Sequence, residues 1–420
     1  MSRSRARAAA VLLALVVGQA AACATRQKWE GGSILARPEL VAQEFSPLLL
    51  EEQLPLQCPD VPMPKGLRPC CAFGADLQVS LGPLPVPMLE LANVIGVDDL
   101  GPHQYDHGVL TLQESRPGGG VLTSERNGLV YTCRGGFVDT AHLRDWSDWT
   151  LYLSAVIART LESGTTIVLP DEGGRRRIVT LPVDPQRVAQ YGQLPLAVPL
   201  AQWLAFQLSV WHEIATWYGW SATAFSEAAS AFSPEDLYSN LLGIKTAAIL
   251  IYQSEVTSEA AYNEHMNVAV PQLLERLGAV PGEIGRTAMG SVDGIWWDSR
   301  ARLPQKRLVR RRNMDEGTQL TPWLVSRGWH AGESSRSVAD ACTGRDQPII
   351  LQNPDNYAGL PFRAQATVEI TVSPSLAAHM SLPDSSKRRI TQDDFVAIIA
   401  QIRAENDKEF GAGASRPEVE

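Results

Sequence analysis

Four features that would point to a well-known class of function are missing from these 420 residues. Basic residues are not in excess: 37 Lys and Arg stand against 46 Asp and Glu, and a formal net charge of −9 argues against nucleic acid as a partner. No Cys-x-x-Cys pair has the spacing of a zinc site, and the run Gly118–Gly120 lacks the Lys and the helix of a phosphate loop. The most apolar later segment, 194–220, is broken by Pro195 and Pro199, which predicts a buried helix rather than a second membrane span.

The first 22 residues have the composition of a secretory signal peptide. Three arginines precede an apolar stretch over residues 8–17, which is too short to cross a bilayer, and small residues lead to Ala22. Because Cys23 follows directly, this end resembles the lipobox of bacterial lipoproteins, with ordinary cleavage near Ala22 as the alternative. We expect Cys23 to be acylated and palmitate-bearing, so that membrane lipid is its partner. With Ala24 rather than Asp next, the resemblance implies an outer-membrane location facing the periplasm.

The composition is that of a globular chain, with 45% apolar residues and 11 Trp. The pattern of apolar runs and turn residues predicts an α+β fold, with buried helices at its centre and short strands and hairpins around them. The predicted segments are a signal peptide (1–22), a lipidated Cys and tether (23–57), a main α+β domain (58–300), a C-terminal extension packed on that domain (301–410) and a disordered tail (411–420).

Several elements have clear start and stop signals. Two apolar strands around Asp171–Gly174 predict a hairpin over residues 165–181. The predicted helices cover about 139–162, 200–218, 233–252 and 391–407, with a helical pair over 258–277 interrupted before Pro271. A basic stretch over 299–313 is interpreted as a solvated surface, with phosphate groups of envelope lipids as an alternative contact.

The cysteines after Cys23 are few and odd in number, in a compartment expected to be oxidising. Cys58 lies before a Pro-rich loop and Cys70 and Cys71 after it, so we expect a disulfide between Cys58 and either of the other two. Cys133 could instead pair with Cys342. It could also serve as a thiolate nucleophile with a nearby His.

One pair of polar residues, His212-Glu213, lies in the middle of the most apolar predicted helix. Buried His and Glu are costly unless they are paired or liganded, so the pair needs partners. The pair resembles the start of the zinc-protease pattern His-Glu-x-x-His, but the second His is replaced by Thr216. Any metal ligands must therefore come from other segments as well.

The natural donors are Asp139 and His142, which are three residues apart at a predicted helix start and so share a face. His103, or its neighbour His107, could add a ligand from a loop. We expect His142, His212, Asp139 and His103 as metal ligands, Zn²⁺ as the ion, and Glu213 as the catalytic base. The alternative makes Asp139 a helix cap and His212-Glu213 a satisfied core pair.

Five segments together resemble a bacterial lipoprotein family known as domain of unknown function 4056. They are RPCCAFG (68–74), GPHQYD (101–106), GGFVDTAHLRD (135–145), WHEIATWYG (211–219) and SPEDLYSN (233–240). The resemblance covers about residues 58–300 and implies no particular reaction. From the residues, we expect a membrane-anchored envelope lipoprotein that acts as a metal-dependent hydrolase on an envelope component. The alternative is a non-catalytic lipoprotein that binds or scaffolds envelope machinery, and no protein partner is indicated.

Overall fold

The structure is a computed structural model that describes residues 58–68, 71–81, 84–91, 93–107, 125–219, 228–253, 256–325, 333–380 and 388–415. The predicted signal peptide, Cys23, the tether and Cys70 lie outside these residues. The fold is α+β, as the sequence predicts. The helices are α1 (Thr140–Thr160), α2 (Pro185–Tyr191), α3 (Gln193–Trp217), α4 (Asp236–Tyr252), α5 (Glu259–Arg276), α6 (Gly282–Ser291), α7 (Glu333–Cys342), α8 (Phe362–Gln365), α9 (Pro374–His379) and α10 (Gln392–Phe410).

The strands are short and all pair antiparallel. The largest sheet among them has four strands. They are β1 (Leu77–Leu81), β2 (Leu84–Leu91), β3 (Leu129–Thr132), β4 (Gly136–Asp139), β5 (Thr165–Leu169), β6 (Gly174–Thr180), β7 (Gln319–Leu320), β8 (Leu351–Gln352), β9 (Asn356–Tyr357), β10 (Leu360–Pro361), β11 (Ala366–Val372) and β12 (Arg389–Thr391).

Helices α1, α3 and α4 form the centre of the protein. Helix α3 begins at Gln193, earlier than the predicted start near residue 200, because Pro195 lies in its first turn, where a backbone N–H has no partner to lose. Pro199 lies inside the helix, where its cost is offset by burial of nearly every later side chain. By length and composition α3 could cross a membrane, but 83% of its apolar window is buried inside the protein, as in a core helix.

A close approach of α1 and α4 fixes the position of the α1 start. A Cβ on Gly243 of α4 would lie 1.9 Å from the carbonyl oxygen of Leu143, so only glycine permits this contact. The hydroxyl of Ser147 donates to the carbonyl oxygen of Gly243 at 2.8 Å and strengthens the contact. His142, next to Leu143, is thereby held against the beginning of α4.

The four-stranded sheet, in the order β12-β11-β6-β5, packs one face against the helices. The predicted hairpin supplies β5 and β6, and the later strands β11 and β12 complete the sheet. Its inner face, which includes Ile167, Ile178 and Ile370, is buried. Trp211 of α3 stacks on Phe395 of α10 at 5.9 Å between ring centroids, which joins the central helix to the C-terminal one.

Two predictions about the later chain are wrong. Helix α5 runs through Pro271 as one helix, because burial of its apolar side, including Tyr262 and Met266, outweighs the lost hydrogen bond. Residues 411–415, predicted to be disordered, pack on the protein, where the backbone N–H of Arg312 donates to the carbonyl oxygen of Ala414 at 3.1 Å.

The predicted disulfide from Cys58 is also wrong. The thiol of Cys58 is unoxidised and donates to the carbonyl oxygen of Leu151 at 3.7 Å, and Cys71 is a buried thiol. The bond that forms joins Cys133 to Cys342, 209 residues apart. The short loop favoured a local bridge, whereas α7 packs against α6, which in turn packs against β3, and this brings the distant pair together. Because its sulfur is oxidised, Cys133 is not a thiolate nucleophile.

The basic stretch 299–313 does not form one phosphate-binding surface. Exposed Arg300 binds Asp298 at 2.7 Å, and exposed Arg307 binds Glu409 at 2.7 Å. Arg312 is fully buried and donates to backbone carbonyls, including that of Val309 at 3.2 Å. The positive charges of this stretch therefore serve separate local contacts.

Candidate metal centre

His212 lies on the buried face of α3 and is held by a carboxylate from the β5–β6 turn. Its Nδ1 lies 2.6 Å from Oε1 of Glu172, and both side chains are only 4% exposed. Arg176 on β6 binds the same carboxylate, and the backbone carbonyl of Glu172 accepts the indole N–H of Trp211 at 3.0 Å. With Nδ1 fixed in this way, Nε2 of His212 is the nitrogen left to bind a ligand.

His142 is presented by the first turn of α1, and a carboxylate lies beside it as well. Its Nδ1 lies 3.2 Å from Oδ1 of Asp236, at the start of α4. The second oxygen of Asp236 accepts the backbone N–H of Ser233 at 2.5 Å. The rings of His142 and His212 lie 5.8 Å apart, nearly perpendicular. Each imidazole thus has a carboxylate near its Nδ1, in a hydrogen bond at His212 and at ion-pair distance at His142.

Glu213 completes the group. Its Oε2 accepts the backbone N–H of Phe232 at 2.8 Å, and its Oε1 has no hydrogen-bond partner among the described residues. One ligand atom from each of His142, His212 and Glu213 lies within 4.8 Å of the other two. Three protein ligands of the types His, His and Glu match catalytic zinc sites, in which a fourth position stays open.

The electrostatics of the centre favour a positive ion. Burial alone lowers the pKa of His212, but the Glu172 carboxylate outweighs burial and raises it to about 9. Burial raises the pKa of Glu213 to about 8, and repulsion from Asp236 adds to this effect. Without a metal ion, protons on these groups reduce the negative charge of the centre.

A charge count gives the same result. Five carboxylates in and around the centre are at most 7% exposed: Asp139, Glu172, Glu213, Glu235 and Asp236. Two buried guanidinium groups act on these carboxylates. Arg176 binds Glu172, and the positive charge of Arg312 offsets part of the negative charge of Asp236 and Glu213. In the deprotonated state that metal binding requires, with both imidazoles neutral, carboxylates outnumber guanidinium groups, and a divalent cation between the two imidazoles and Glu213 would neutralise the excess.

Two predicted ligands lie elsewhere. Both oxygens of Asp139 accept backbone N–H groups, from Ala141 at 2.7 Å and from Cys71 at 2.9 Å, so Asp139 caps α1. His103 faces Asp148 at 3.1 Å and Glu125 at 3.6 Å, in a second buried cluster. The structure therefore brings together His142, His212 and Glu213 and leaves Asp139 and His103 out of the ligand group.

The second cluster is built on Arg68. Its guanidinium donates to Glu125 at 2.6 Å, to Asp145 at 2.7 Å and to Asp148 at 2.9 Å. The phenol of Tyr262 donates to Asp148 at 3.0 Å. These bonds connect the chain before β1, helix α1 and helix α5, so the cluster supports the side of α1 that faces away from α4.

Sequence reasoning missed the two carboxylates beside the histidines. Glu172 lies in Asp-Glu-Gly-Gly, which is an ordinary hairpin turn by composition, and Asp236 is an acid in the first turn of a helix, where acids are common. The only signal was that a buried His needs a hydrogen-bond partner, and this requirement does not identify the partner residue.

A gap too narrow to admit a water molecule lies beside the centre. Its walls come from the β3–β4 turn, the start of α4 and two tryptophans, and its lining includes Glu235, which directly precedes Asp236. The lining residues are Gly135, Phe137, Pro234, Glu235, Tyr238, Trp296 and Trp323. Glu235 is 2% exposed, and neither of its carboxylate oxygens has a hydrogen-bond partner among the described residues.

A family model described as a protein of unknown function (DUF4056) matches residues 58–326. The match contains all three residues of the ligand group and agrees with the resemblance seen in the sequence. No curated protein and no solved structure matches the chain. The comparisons therefore supply a family without an activity, and the function has to be argued from the centre.

Proposed function

This chain belongs to the DUF4056 family of proteins of unknown function, and we propose that it is a metal-dependent hydrolase of the bacterial cell envelope. The observation that carries the proposal is the ligand group of His142, His212 and Glu213, with its ligand atoms within 4.8 Å of one another. The carboxylates beside the two histidines support it, because ligating histidines in metalloproteins usually have such partners.

The residues present have defined roles in this proposal. Nε2 of each histidine and Oε1 of Glu213 would hold the ion, so Glu213 acts as a ligand here rather than as the base suggested by the sequence. A bound Zn²⁺ would polarise the substrate and activate a water. Glu172 and Asp236 keep the two imidazoles oriented, and the apolar walls of α1 and α3 exclude bulk water from the centre.

We further propose the envelope as the location, with Cys23 acylated, the protein attached to the outer membrane and the domain facing the periplasm. The Cys133–Cys342 disulfide supports an oxidising compartment. Cys23→Ala should move the protein from the membrane fraction to the soluble periplasm. Unchanged membrane association would refute the anchor without affecting the metal proposal.

Burial of the centre favours a second function. His142, His212 and Glu213 are only 1–3% exposed, as in a structural metal site, and such a site would suit a non-catalytic lipoprotein that scaffolds envelope machinery. The two functions differ in whether the ion keeps an open coordination position.

Elemental analysis of the purified chain, without added metal, is the first test, and we expect one transition-metal equivalent that is lost in His212→Ala. The second test uses the Co²⁺-substituted protein, whose visible spectrum should change on addition of azide if a coordination position is open. Absence of a stoichiometric metal would overturn the hydrolase and the structural metal site, and would favour a scaffold without metal. A metal whose spectrum azide leaves unchanged would overturn the hydrolase and favour the scaffold.

A further inference from the structure

Two side chains beside the metal centre have hydrogen-bond donors without acceptors. Trp146 is 1% exposed and Thr216 is 2% exposed. Neither Nε1 of Trp146 nor Oγ1 of Thr216 has a hydrogen-bond partner among the described residues. A buried polar group in this condition is costly, and such groups in native proteins usually meet a ligand, an ion or a water. The two donors therefore need an acceptor from outside the chain.

Helical spacing places both donors next to the ligand group. Trp146 follows His142 by one turn of α1, so the two side chains share a face of that helix. The ring of Trp146 lies 6.4 Å from the ring of His212. Thr216 follows His212 by four residues and Glu213 by three on α3, so it shares a face with both. Each donor thus lies one helical turn from a proposed ligand of the ion.

The hydroxyl of Thr216 differs from other buried helical threonines of the protein. Thr150 and Thr246 each donate to the carbonyl oxygen four residues earlier, at 2.7 Å and 2.8 Å. This bond within the helix is the usual partner of a buried Thr hydroxyl. Thr216 does not form it with the carbonyl oxygen of His212. Its hydroxyl is therefore available to a group outside its own helix.

The chemistry of the donors limits the kind of ligand. An indole N–H can only donate, so its partner must be an acceptor such as an oxygen. Phosphate groups are usually bound by Arg or Lys, but the buried guanidinium groups near the centre are already in use. Arg176 binds Glu172, and Arg312 donates to backbone carbonyls. Two uncharged donors suit a single oxygen with at most one negative charge, as in a carbonyl or carboxylate group.

We propose that Trp146 and Thr216 donate hydrogen bonds to the carbonyl oxygen of an acyl substrate at the open position of the metal centre. This inference rests on the proposed hydrolase and names its substrate class, amides and esters rather than phosphoesters. When water adds to the carbonyl carbon, the π electrons of the C=O bond move to the oxygen. Loss of the amine or alcohol, which takes a proton from the water, then leaves a carboxylic acid. Buried donors on two helices stabilise the oxygen while it is negative.

The test titrates the Co²⁺-substituted full chain with sodium formate and follows the visible spectrum. Formate offers an acceptor oxygen with a single negative charge. Trp146→Phe removes the N–H and keeps an aromatic ring, and Thr216→Val removes the hydroxyl and keeps the shape. Each should weaken formate binding about tenfold or more, because each removes a hydrogen bond to a charged group. The wild type should bind inorganic phosphate more weakly than formate.

Two matched variants make the same changes elsewhere. Trp203→Phe alters a buried Trp of α3 that packs on Phe362 at 6.2 Å, and Thr246→Val alters a hydroxyl bonded within α4. Both should leave formate binding unchanged. Metal affinity, measured by competition with a chelator, should be the same in all four variants, because none of these side chains is a ligand of the ion. A merely structural role of Trp146 or Thr216 would weaken metal and formate binding together.

The outcomes separate this inference from the proposed hydrolase. Full formate affinity in Trp146→Phe or in Thr216→Val would remove that residue from the site, and full affinity in both would refute the inference while the hydrolase stands. Tighter binding of phosphate than of formate would refute the acyl substrate class. A chain without stoichiometric metal, or a Co²⁺ spectrum that neither azide nor formate changes, would refute the hydrolase and the inference together.

Discussion

Replacing Glu213 by Gln should change the stability of the protein in opposite directions with and without a bound metal ion. Gln keeps the shape of the side chain and still offers an oxygen to the backbone N–H of Phe232, which Glu213 accepts at 2.8 Å. What the substitution removes is a negative charge that is 1% exposed and close to Asp236. The change therefore isolates the charge from the packing.

Without metal, the direction of the change in unfolding free energy follows from the raised pKa of Glu213. Its pKa rises from 4.5 in the unfolded chain to about 8 in the folded one, so the folded state binds the proton more tightly. The free energy of unfolding must then fall as pH rises from 4.5 to 8 and stay low above that. At about 1.4 kcal/mol per pKa unit, the full effect is a few kcal/mol. At pH 9 the Gln variant lacks this penalty and should be more stable than wild type, whereas at pH 4 the two should be alike.

With a bound metal ion, we expect the Gln variant to be less stable than wild type. An ion at a hundred times its dissociation constant stabilises the folded protein by about 2.7 kcal/mol. An amide oxygen is a poorer ligand than a carboxylate, so the Gln variant should gain little from the ion. Urea unfolding at pH 9, with chelator and with Zn²⁺, measures both effects, with Glu162→Gln, at an exposed acid after α1, as the charge-matched control. A chelated Gln variant less stable than wild type would refute the reasoning about burial, and equal stabilisation by Zn²⁺ would refute the ligand role.

Two other changes test the support of the centre and of the fold. Glu172→Gln should weaken metal binding by about 10- to 100-fold, because His212 loses the carboxylate at its Nδ1. Competition with a chelator at pH 9 measures the loss, with Glu162→Gln as the control. Unchanged affinity would exclude this role. Replacing Cys133 and Cys342 by Ser should cost about 5 kcal/mol of unfolding free energy, as chain entropy predicts for a bridge that spans 209 residues. Urea unfolding of the oxidised and the Ser-substituted proteins gives the difference, and a loss below about 1 kcal/mol would contradict a structural role for the bond.

The convergence of His142, His212 and Glu213 could be predicted because it depends on a local cost. Polar side chains in the middle of an apolar helix need partners whatever the fold, and a His at the start of another buried helix is a natural candidate. The type of each central helix followed from periodicity for the same reason. The start of α3 did not follow from periodicity, because Pro residues occur in the first turn of a helix as well as in loops.

The partners of these residues could not be predicted, because they depend on tertiary packing. Glu172 reaches His212 only because the β5–β6 turn folds onto α3, and nothing in the turn sequence shows this. Cys133 and Cys342 meet although 209 residues separate them, whereas the sequence favoured the nearest cysteines. Asp139 had two possible roles, and the packing of Cys71 beside it decides for the cap.

The two buried polar clusters on α1, the Arg68 cluster and the metal centre, differ in how the hydrogen bonds of their central groups are satisfied. All three guanidinium nitrogens of Arg68 donate hydrogen bonds, to Glu125, Asp145, Asp148 and the carbonyl oxygen of Gln104. The guanidinium of Arg68 therefore needs no further acceptor, and its contribution is to hold α1. At the metal centre, by contrast, Oε1 of Glu213 has no partner among the described residues. Without a cation, an unsatisfied buried acceptor beside two imidazoles would raise the free energy of the folded protein, and binding of a cation there would remove that cost. The bonds of Arg68 hold α1, and with it His142, in place, so the two clusters together favour a preorganised ion site.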